Sequence, residues 1–325
     1  PKNLLIMCRL LSLSDWHLHG QMCSAKDFRP APKKAIRSSM TEFLKMHGLG
    51  NDFIVFDARD PANAVTDKIS PTAARRLADR HFGIGCDQIL VIRPSTRADV
   101  FMEILNSDGS QAAACGNGTR CVADFVMPAG SSATSIETAA GVLLARRDAK
   151  TGDIAVDMGP AYLGWQDVPL ASQMDTLAVD LGPPAPVPAI CHSLGNPHAV
   201  LFVDDAEAVD LARIGPVLES HPLFPDRANI SFVHHLGANR FRMRVCDRGC
   251  GSTLACGSGA SAVGVAAHRA GLSGRVNEIV MDGGMVTIDW QDDGTESGRV
   301  IMQGPVAYVC RGQLSDALDQ CLRAV

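Results

Sequence analysis

The chain contains no Cys-x-x-Cys pair, no uninterrupted apolar run of the roughly 18–20 residues that span a bilayer, and no surplus of basic charge. Each absence removes a class of function. Without closely spaced cysteine pairs, the eleven cysteines do not read as zinc ligands. Their odd number and their scatter along 325 residues do not read as a disulfide framework either. Reduced thiols in a cytoplasmic enzyme are the expectation that follows. Thirty Lys and Arg against 35 Asp and Glu give a formal net charge of −5, with a pI near 6.1. That balance supplies no electrostatic case for nucleic acid or for an acidic membrane surface.

What is present is ample core: 46% of the residues are hydrophobic, and the length allows one large domain or two ordinary ones. Residues 1–39 stand apart. They hold Trp16 and a short apolar stretch broken by Arg9, show no sustained period, and are followed by no small-residue cleavage site at the usual distance. They are expected to be a non-native or disordered stretch upstream of a natural start at Met40.

From Met40 onward, short β-branched runs alternate with turn signals. Strands are expected over 53–59, 88–94, 99–106, 154–158, 198–204, 229–236, 240–246, 285–290 and 298–304. Helices are fewer: 70–82, the run after Cys115, 211–221 and the run after Cys256. Many strands around a few helices predict an α+β, or mixed α/β, class.

Two stretches read almost alike: "AACGNGTRCVADF" (113–125) and "LACGSGASAVGVAAHRAGL" (254–272). Asn106 stands nine residues before Cys115, and Asp247 nine residues before Cys256. Each segment follows an expected strand, carries a Gly-bearing turn, reaches Ala-Cys-Gly-x-Gly and enters a helix-like run. This is an internal repeat far longer than a solenoid period, and it predicts two similar domains, each with one cysteine at a helix entrance.

That placement carries chemistry. A thiol at a helix start sits near unsatisfied N–H groups and the positive end of the helix dipole, which is expected to lower its pKa from about 8.5 toward neutrality. The following glycines let a ligand approach the backbone, whose free N–H groups can hold a carboxylate. Two such entrances facing each other would set one thiol on each side of a bound carbon. One thiolate would remove a proton and the opposite thiol would deliver one, inverting the centre without a cofactor. The N–H groups would stabilise charge developing on the carboxylate. A cysteine before a small-residue helix is more commonly a core residue, but a matched pair with the same flanks favours the chemical reading.

The motifs "KMHGLGNDFIVFDAR" (45–59), "GIGCDQ" (83–88), "LNSDGSQAAACGNGTRC" (105–121), "SLGNPHAVLFVDD" (193–205), "PDRANISFV" (225–233), "DRGCGSTLACGSGAS" (247–261), "DGGMVTIDW" (282–290) and "MQGPV" (302–306) occur in this order. Together they resemble the diaminopimelate epimerase family. The resemblance implies two pseudo-symmetric domains, each a curved β-sheet around a central helix, with the active site in the cleft between them. It implies an N-terminal domain over 40–158, joined by a returning C-terminal strand in 301–325, and a second domain over 159–300. The run "DMGPAYLGW" (157–165) suits such a boundary. The implied reaction interconverts LL- and meso-diaminopimelate, toward lysine and peptidoglycan, with no pyridoxal phosphate, metal or other cofactor. The implied partner is this small amino acid, with neither nucleic acid nor membrane.

Residue by residue, the resemblance makes Cys115 and Cys256 the acid–base pair. It makes Asn51, Gln88, Asn106, Asn196 and Asn229 substrate-binding side chains, with Gly116, Asn117, Gly257 and Ser258 as donors after the cysteines. Arg248 is implied to bind the distal carboxylate, for which a guanidinium fork is suited. His198 is implied to tune one cysteine, and Asp247 to support Cys256 or meet the substrate amine. Ordinary uses exist for these types: Asn106, Asp108 and Asn51 favour turns, His198 could be a core histidine and Arg248 a solvated charge. Three positions depart from the family. Asp247 replaces the usual Glu, Ser252 stands where many members are acidic, and Cys310 falls where some carry a dimer-contacting tyrosine, so a homodimer is allowed rather than implied. The alternatives are a proline- or hydroxyproline-type two-cysteine racemase or epimerase, and a non-catalytic, thiol-rich metal-binding protein.

Overall fold

The computed structural model describes residues 41–323, apart from 61, 62, 64, 66 and 67. The expectation for residues 1–39 lies outside the described residues. In strand β1 (Glu42–Gly48) burial alternates at Leu44, Met46 and Gly48, the period of a strand with one covered face. Its neighbour β2 (Asn51–Asp57) is buried continuously from Phe53 to Phe56, as expected of a strand covered on both faces. Helix α1 (Pro71–Ala78) then precedes β3 (Gln88–Arg93) and β4 (Val100–Asn106), and α2 (Gly116–Val126) precedes β5 (Ala133–Thr138), β6 (Gly141–Arg147) and β7 (Ile154–Asp157).

The same order follows again. Strands β8 (Ile190–Ser193) and β9 (Pro197–Phe202) lead into α3 (Leu211–Glu219), then β10 (Asn229–Gly237) and β11 (Arg240–Asp247). After the two-residue β12 (Gly251–Ser252) come α4 (Gly257–Arg269), β13 (Val276–Met281), β14 (Gly284–Gln291) and β15 (Arg299–Gly304). Pairing repeats with the order. In both series the first two strands are antiparallel, the second and third parallel, the third and fourth antiparallel, the fourth and fifth parallel, and the last two pairs antiparallel. Antiparallel pairing of β7 with β15 joins the two series into one hydrogen-bonded path.

Four apolar clusters explain why the sheet holds this shape. In the first half, Phe53 and Val55 pack with α2, while Ile54 and Phe56 face α1. In the second half, Val233 packs with α4, while Ile230 and Phe232 face α3. Both faces of the central strands are therefore covered, and α2 and α4 are the inner helices. Leu49 at the β1–β2 turn belongs to the cluster around α4, so the first half is latched into the core of the second. Gly283 makes room for that turn: a methyl group added there would lie 1.8 Å from the Leu49 carbonyl oxygen. Gly283→Ala is expected to cost about 2 kcal/mol, within the range for overpacking. The check is a lowered chemical-denaturation midpoint, and an unshifted midpoint would show that the turn gives way freely.

Several expected elements differ in extent. Helix α1 stops at Ala78 rather than residue 82, because Asp79 turns back to accept the N–H groups of His81 and Phe82 at 2.7 and 2.8 Å. Helix α3 ends two residues early. The segment 301–325 is not one returning strand. Within it, β15 ends at Gly304, β16 (Ala307–Gln313) pairs with β1, and α5 (Asp316–Arg323) packs on α1. Leu318 and Leu322 fall about one helical turn apart and join the cluster around α1.

Candidate active site

Both cysteines cap inner helices. Cys115 has extended backbone, and its Sγ accepts the Gly118 N–H at 3.3 Å; Cys256 does the same for Gly259 at 3.3 Å. Each sulfur thus takes one of the N–H groups that a helix start leaves without an internal partner.

The two entrances abut. A methyl group added at Gly116 would lie 2.7 Å from Met302 Cε, and one added at Gly257 would lie 3.1 Å from Met302 Sδ. Asn117 Nδ2 donates to Asn51 Oδ1 at 3.2 Å and to the carbonyl of Ala255, the residue before Cys256, at 3.4 Å. Two positive helix ends and their free N–H groups therefore converge on one place, a ready anion site.

Strand register shows how closely the halves correspond. Phe53 pairs with Gln88 in the β2–β3 ladder, and His198 with Asn229 in the β9–β10 ladder. Two residues before these partners stand Asn51 and Asn196. Gln88 then matches Asn229, each opening its strand, and Asn106 matches Asp247, each closing one. Cys115, Gly116 and Asn117 match Cys256, Gly257 and Ser258. Most candidate residues thus form symmetric pairs around the helix entrances.

Their contacts differ in detail. Asn51 Oδ1 receives Asn117 Nδ2 and lies 3.8 Å from the Cys115 sulfur, while its Nδ2 donates to Asp87 at 3.0 Å. On the other side, Asn196 Nδ2 donates to Ser258 Oγ at 3.3 Å, and that hydroxyl lies 3.6 Å from the Cys256 sulfur. Gln88 Nε2 donates to Asn106 Oδ1 at 2.9 Å, and Asn106 Nδ2 to Ser110 Oγ at 3.0 Å. Asn229 is committed to backbone at both ends: its Nδ2 donates to the Pro197 carbonyl at 2.9 Å, and its Oδ1 accepts the Arg248 N–H at 3.0 Å. Arg248 itself lies on an exposed turn, with Nη1 donating to the Asp226 carbonyl at 3.1 Å. Asp247 accepts the Thr253 hydroxyl and faces the Cys256 thiol. His198 is fully buried, with Nε2 3.0 Å from Asn196 Oδ1.

The expected drop in thiol pKa is not what the structure gives. Burial pushes the Cys115 thiol up and outweighs the Gly118 N–H and the Arg120 charge, which pull it down. Burial pushes Cys256 well above the ordinary range, and the neighbouring Asp247 carboxylate pushes in the same direction. The helix-end N–H groups are in place, but loss of water around the sulfur is the larger effect. Burial also holds His198 down, to about 3, helped by the Arg248 charge, so it is a neutral imidazole at pH 7.

Sequence reasoning passed over the support beneath Asn51. Asp87 Oδ2 takes Asn51 Nδ2, and Arg80 bridges Asp87 at 2.7 Å and Asp52 at 2.8 Å. Lys45 reaches Asp52 at 2.6 Å. Burial pushes the Asp52 carboxyl up, but hydrogen bonds from Arg80 and Lys45 and their charges bring it down to about 2. Lys45, Asp52 and Asp87 all lie inside the ordered motifs, which was the available signal. Arg120 and Met302 were missed as well. Among the described residues, no three His, Cys, Asp or Glu side chains are grouped to hold a metal ion, and no helix is long and apolar enough to cross a membrane.

The diaminopimelate epimerase family model matches residues 43–164 and 190–309. A diaminopimelate epimerase of Rhodospirillum centenum is 53% identical over 280 residues, covering 85% of this chain and 93% of that one. One from Acidiphilium cryptum is 51% identical over 278 residues, 85% and 97% of the two chains. Among solved structures, a hydroxyproline epimerase from Agrobacterium vitis superposes with a TM-score of 0.60 at 18% identity, over 86% of this chain and 94% of that one. A phenazine biosynthesis protein of the PhzF family from Bacillus anthracis gives 0.61 at 15%, over 86% and 100%. These two likenesses show the fold.

Proposed function

The chain belongs to the diaminopimelate epimerase family and is an isomerase, and on that premise we propose that it interconverts LL- and meso-diaminopimelate with two thiols, Cys115 and Cys256. The observation that carries this reading is the meeting of two cysteine-capped helix starts over Met302. A carboxylate held by N–H groups of Gly116, Asn117, Gly257 and Ser258 would set its α-carbon between the sulfurs. A thiolate on one side takes the α-proton, and the electron pair left on carbon delocalises into the carboxylate, where those donors stabilise it. The thiol on the other side then delivers its own proton to the opposite face and becomes the thiolate. No atom is gained or lost.

The lobes in this reading are 40–158 with the returning C-terminal segment, and 159–300. Asn51 and Asn196 brace the two caps, and Asp247 and neutral His198 set the surroundings of Cys256. The reading also makes the protein cytoplasmic, which the free state of all nine described cysteines supports. A homodimer is compatible with it, and the exposed Val309 on edge strand β16 offers a surface for one. Incubation with LL-diaminopimelate in D2O tests the reaction. The meso isomer should appear with deuterium at the inverted α-carbon. Turnover of proline or hydroxyproline instead, with diaminopimelate inert, would transfer the chain to the alternative class.

Arg248 is the proposed anchor for the distal carboxylate. It shares the turn that leads to Cys256, and among the described residues its exposed guanidinium donates to the Asp226 carbonyl. Arg248→Lys keeps the charge but loses the fork, and is expected to lower kcat/KM for diaminopimelate by about ten- to a hundredfold. A monocarboxylic analogue with the same α-carbon should be hardly affected. Equal losses for both would show that Arg248 serves the reacting end or the fold.

A further inference from the structure

The two halves match almost residue for residue around the thiols, and they differ in charge at several places, two of them beside the thiols. Asp247 in the second half stands where Asn106 stands in the first. Arg120, five residues after Cys115, stands where Ser261 stands five residues after Cys256. The first half therefore adds a cation near its thiol, and the second adds an anion.

Arg120 is an unusual cation. It is 0% exposed and is among the largest fully buried side chains of the described residues. Its Nη1 lies 3.2 Å from Met302 Sδ, the side chain that sits under both helix entrances. Gly48 and Gly304 leave room for the rest of the guanidinium: a methyl group added at either would lie 3.1 Å from Nη2 or 3.6 Å from Cζ. Among the described residues neither Nε nor Nη2 has a hydrogen-bond partner. A guanidinium does not lose its proton at any ordinary pH, and a buried charge without a partner is costly. The equivalent position of α4 carries Ser261, so the helix start does not itself call for a cation.

We propose that Arg120 is a positioning residue of the reaction: a fixed buried charge that makes Cys115 the more readily ionised thiol of the pair and leaves the proton on Cys256. The proposal rests on the two-thiol reading above. Of the fixed charges that act on the pair, Arg120 and Asp247 fit it and Asp87 opposes it. On Cys115 the Arg120 charge favours ionisation and is the larger influence, opposed by Asp87 ahead of β3. Asp153, ahead of β7, and Cys121 are the other titratable groups facing Arg120. Cys256 faces Asp247, which holds its proton on. Burial raises both thiols, but the one beside the carboxylate is raised further. One contact favours the protonated form of Cys115, the 3.8 Å approach to Asn51 Oδ1. It is long, and that oxygen is already taken by Asn117.

The test uses the full chain without substrate. Iodoacetamide alkylation across pH 6–10, read by peptide mass spectrometry, follows Cys115 and Cys256 separately. In the parent, Cys115 should be alkylated at least about tenfold faster than Cys256 at pH 7.5. Arg120→Met should move the Cys115 midpoint upward by at least one pH unit and lower kcat by about a hundredfold, with KM changed less than threefold. Arg120→Lys should restore most of the midpoint. Should Arg120→Met not fold, Asp247→Asn provides the converse: the Cys256 midpoint should fall and the preference for Cys115 shrink. Faster alkylation of Cys256 in the parent, or an Arg120→Met profile that overlays the parent, overturns the proposal. Because labelling needs no turnover, that failure is distinct from failure of the epimerase reading, which would appear as a parent chain inert toward diaminopimelate.

Discussion

Replacing either Cys115 or Cys256 by serine is expected to leave a folded protein that no longer epimerises diaminopimelate. Folding should survive because serine is a better helix cap than cysteine, and its oxygen can take the Gly118 or Gly259 N–H that the sulfur takes now. Stability should change by no more than about 1 kcal/mol. The rate should fall at least about a thousandfold in both directions, since each face of the α-carbon needs its own proton carrier and a hydroxyl is a much poorer base near neutrality. The two variants should differ in one respect. Each keeps the thiol on one face and can wash solvent deuterium into the epimer that presents its α-proton there, without inverting it. Opposite epimers should therefore become labelled in Cys115→Ser and Cys256→Ser. Mass and chirality analysis after incubation in D2O reads both outcomes. Full turnover by either variant, or labelling of the same epimer by both, would end the two-base assignment.

The parts of this arrangement visible in the chain were those written in local pattern. Strands such as β3 and β10 carry branched aliphatic runs, and both cysteine motifs carry a cap and two glycines at a helix entrance. Strands β1, β5, β6, β8, β13 and β16 escaped because polar, charged or glycine residues interrupt their apolar runs, and the pairing of β16 and β13 is set by neighbours distant in sequence. Helix α5 escaped for a related reason: its apolar side is only Leu318, Cys321 and Leu322, and it has meaning only against α1. Within the site, the candidates found were those inside ordered motifs. The matching of Asn51 with Asn196 and of Gln88 with Asn229 could not be read from a constant spacing. The loop lengths of the two halves differ, and only the ladders align them. The thiol environment was misjudged because dipole and cap are local features, whereas the burial that outweighs them is set by tertiary packing around each helix entrance.

Two buried histidines give the fold a pH dependence, and from them the protein is expected to lose about 4 kcal/mol of stability between pH 7 and pH 5. His192 and His198 are partners across the β8–β9 ladder, and each is 0% exposed. Burial holds His198 down to about 3, with the Arg248 charge adding to it. Burial holds His192 well below its ordinary range, with His198 and Arg269 adding to it. In the unfolded chain both should titrate near 6.5. Because the folded values are depressed, the unfolded state binds more protons as pH falls. The contribution to stability is therefore complete above pH 6.5 and drains away below it, toward the folded value near 3 for His198. Each such proton removes about 1.4 kcal/mol per pH unit, so the pair together removes about 2.7. Against a typical total of about 5–15 kcal/mol, that is enough to bring the protein near unfolding at pH 5. The window above pH 5 separates this effect from groups such as Asp52, whose carboxyl, held down to about 2, ionises far lower. Urea denaturation at pH 7.5, 6.5, 5.75 and 5.0 should give the slope directly. His192→Asn should reduce it by about half, whatever it does to stability at pH 7.5, because slope counts protons and not contacts. A slope under about 1 kcal/mol per pH unit, or one that His192→Asn leaves unchanged, would mean that these imidazoles find a way to accept protons without unfolding the sheet around them.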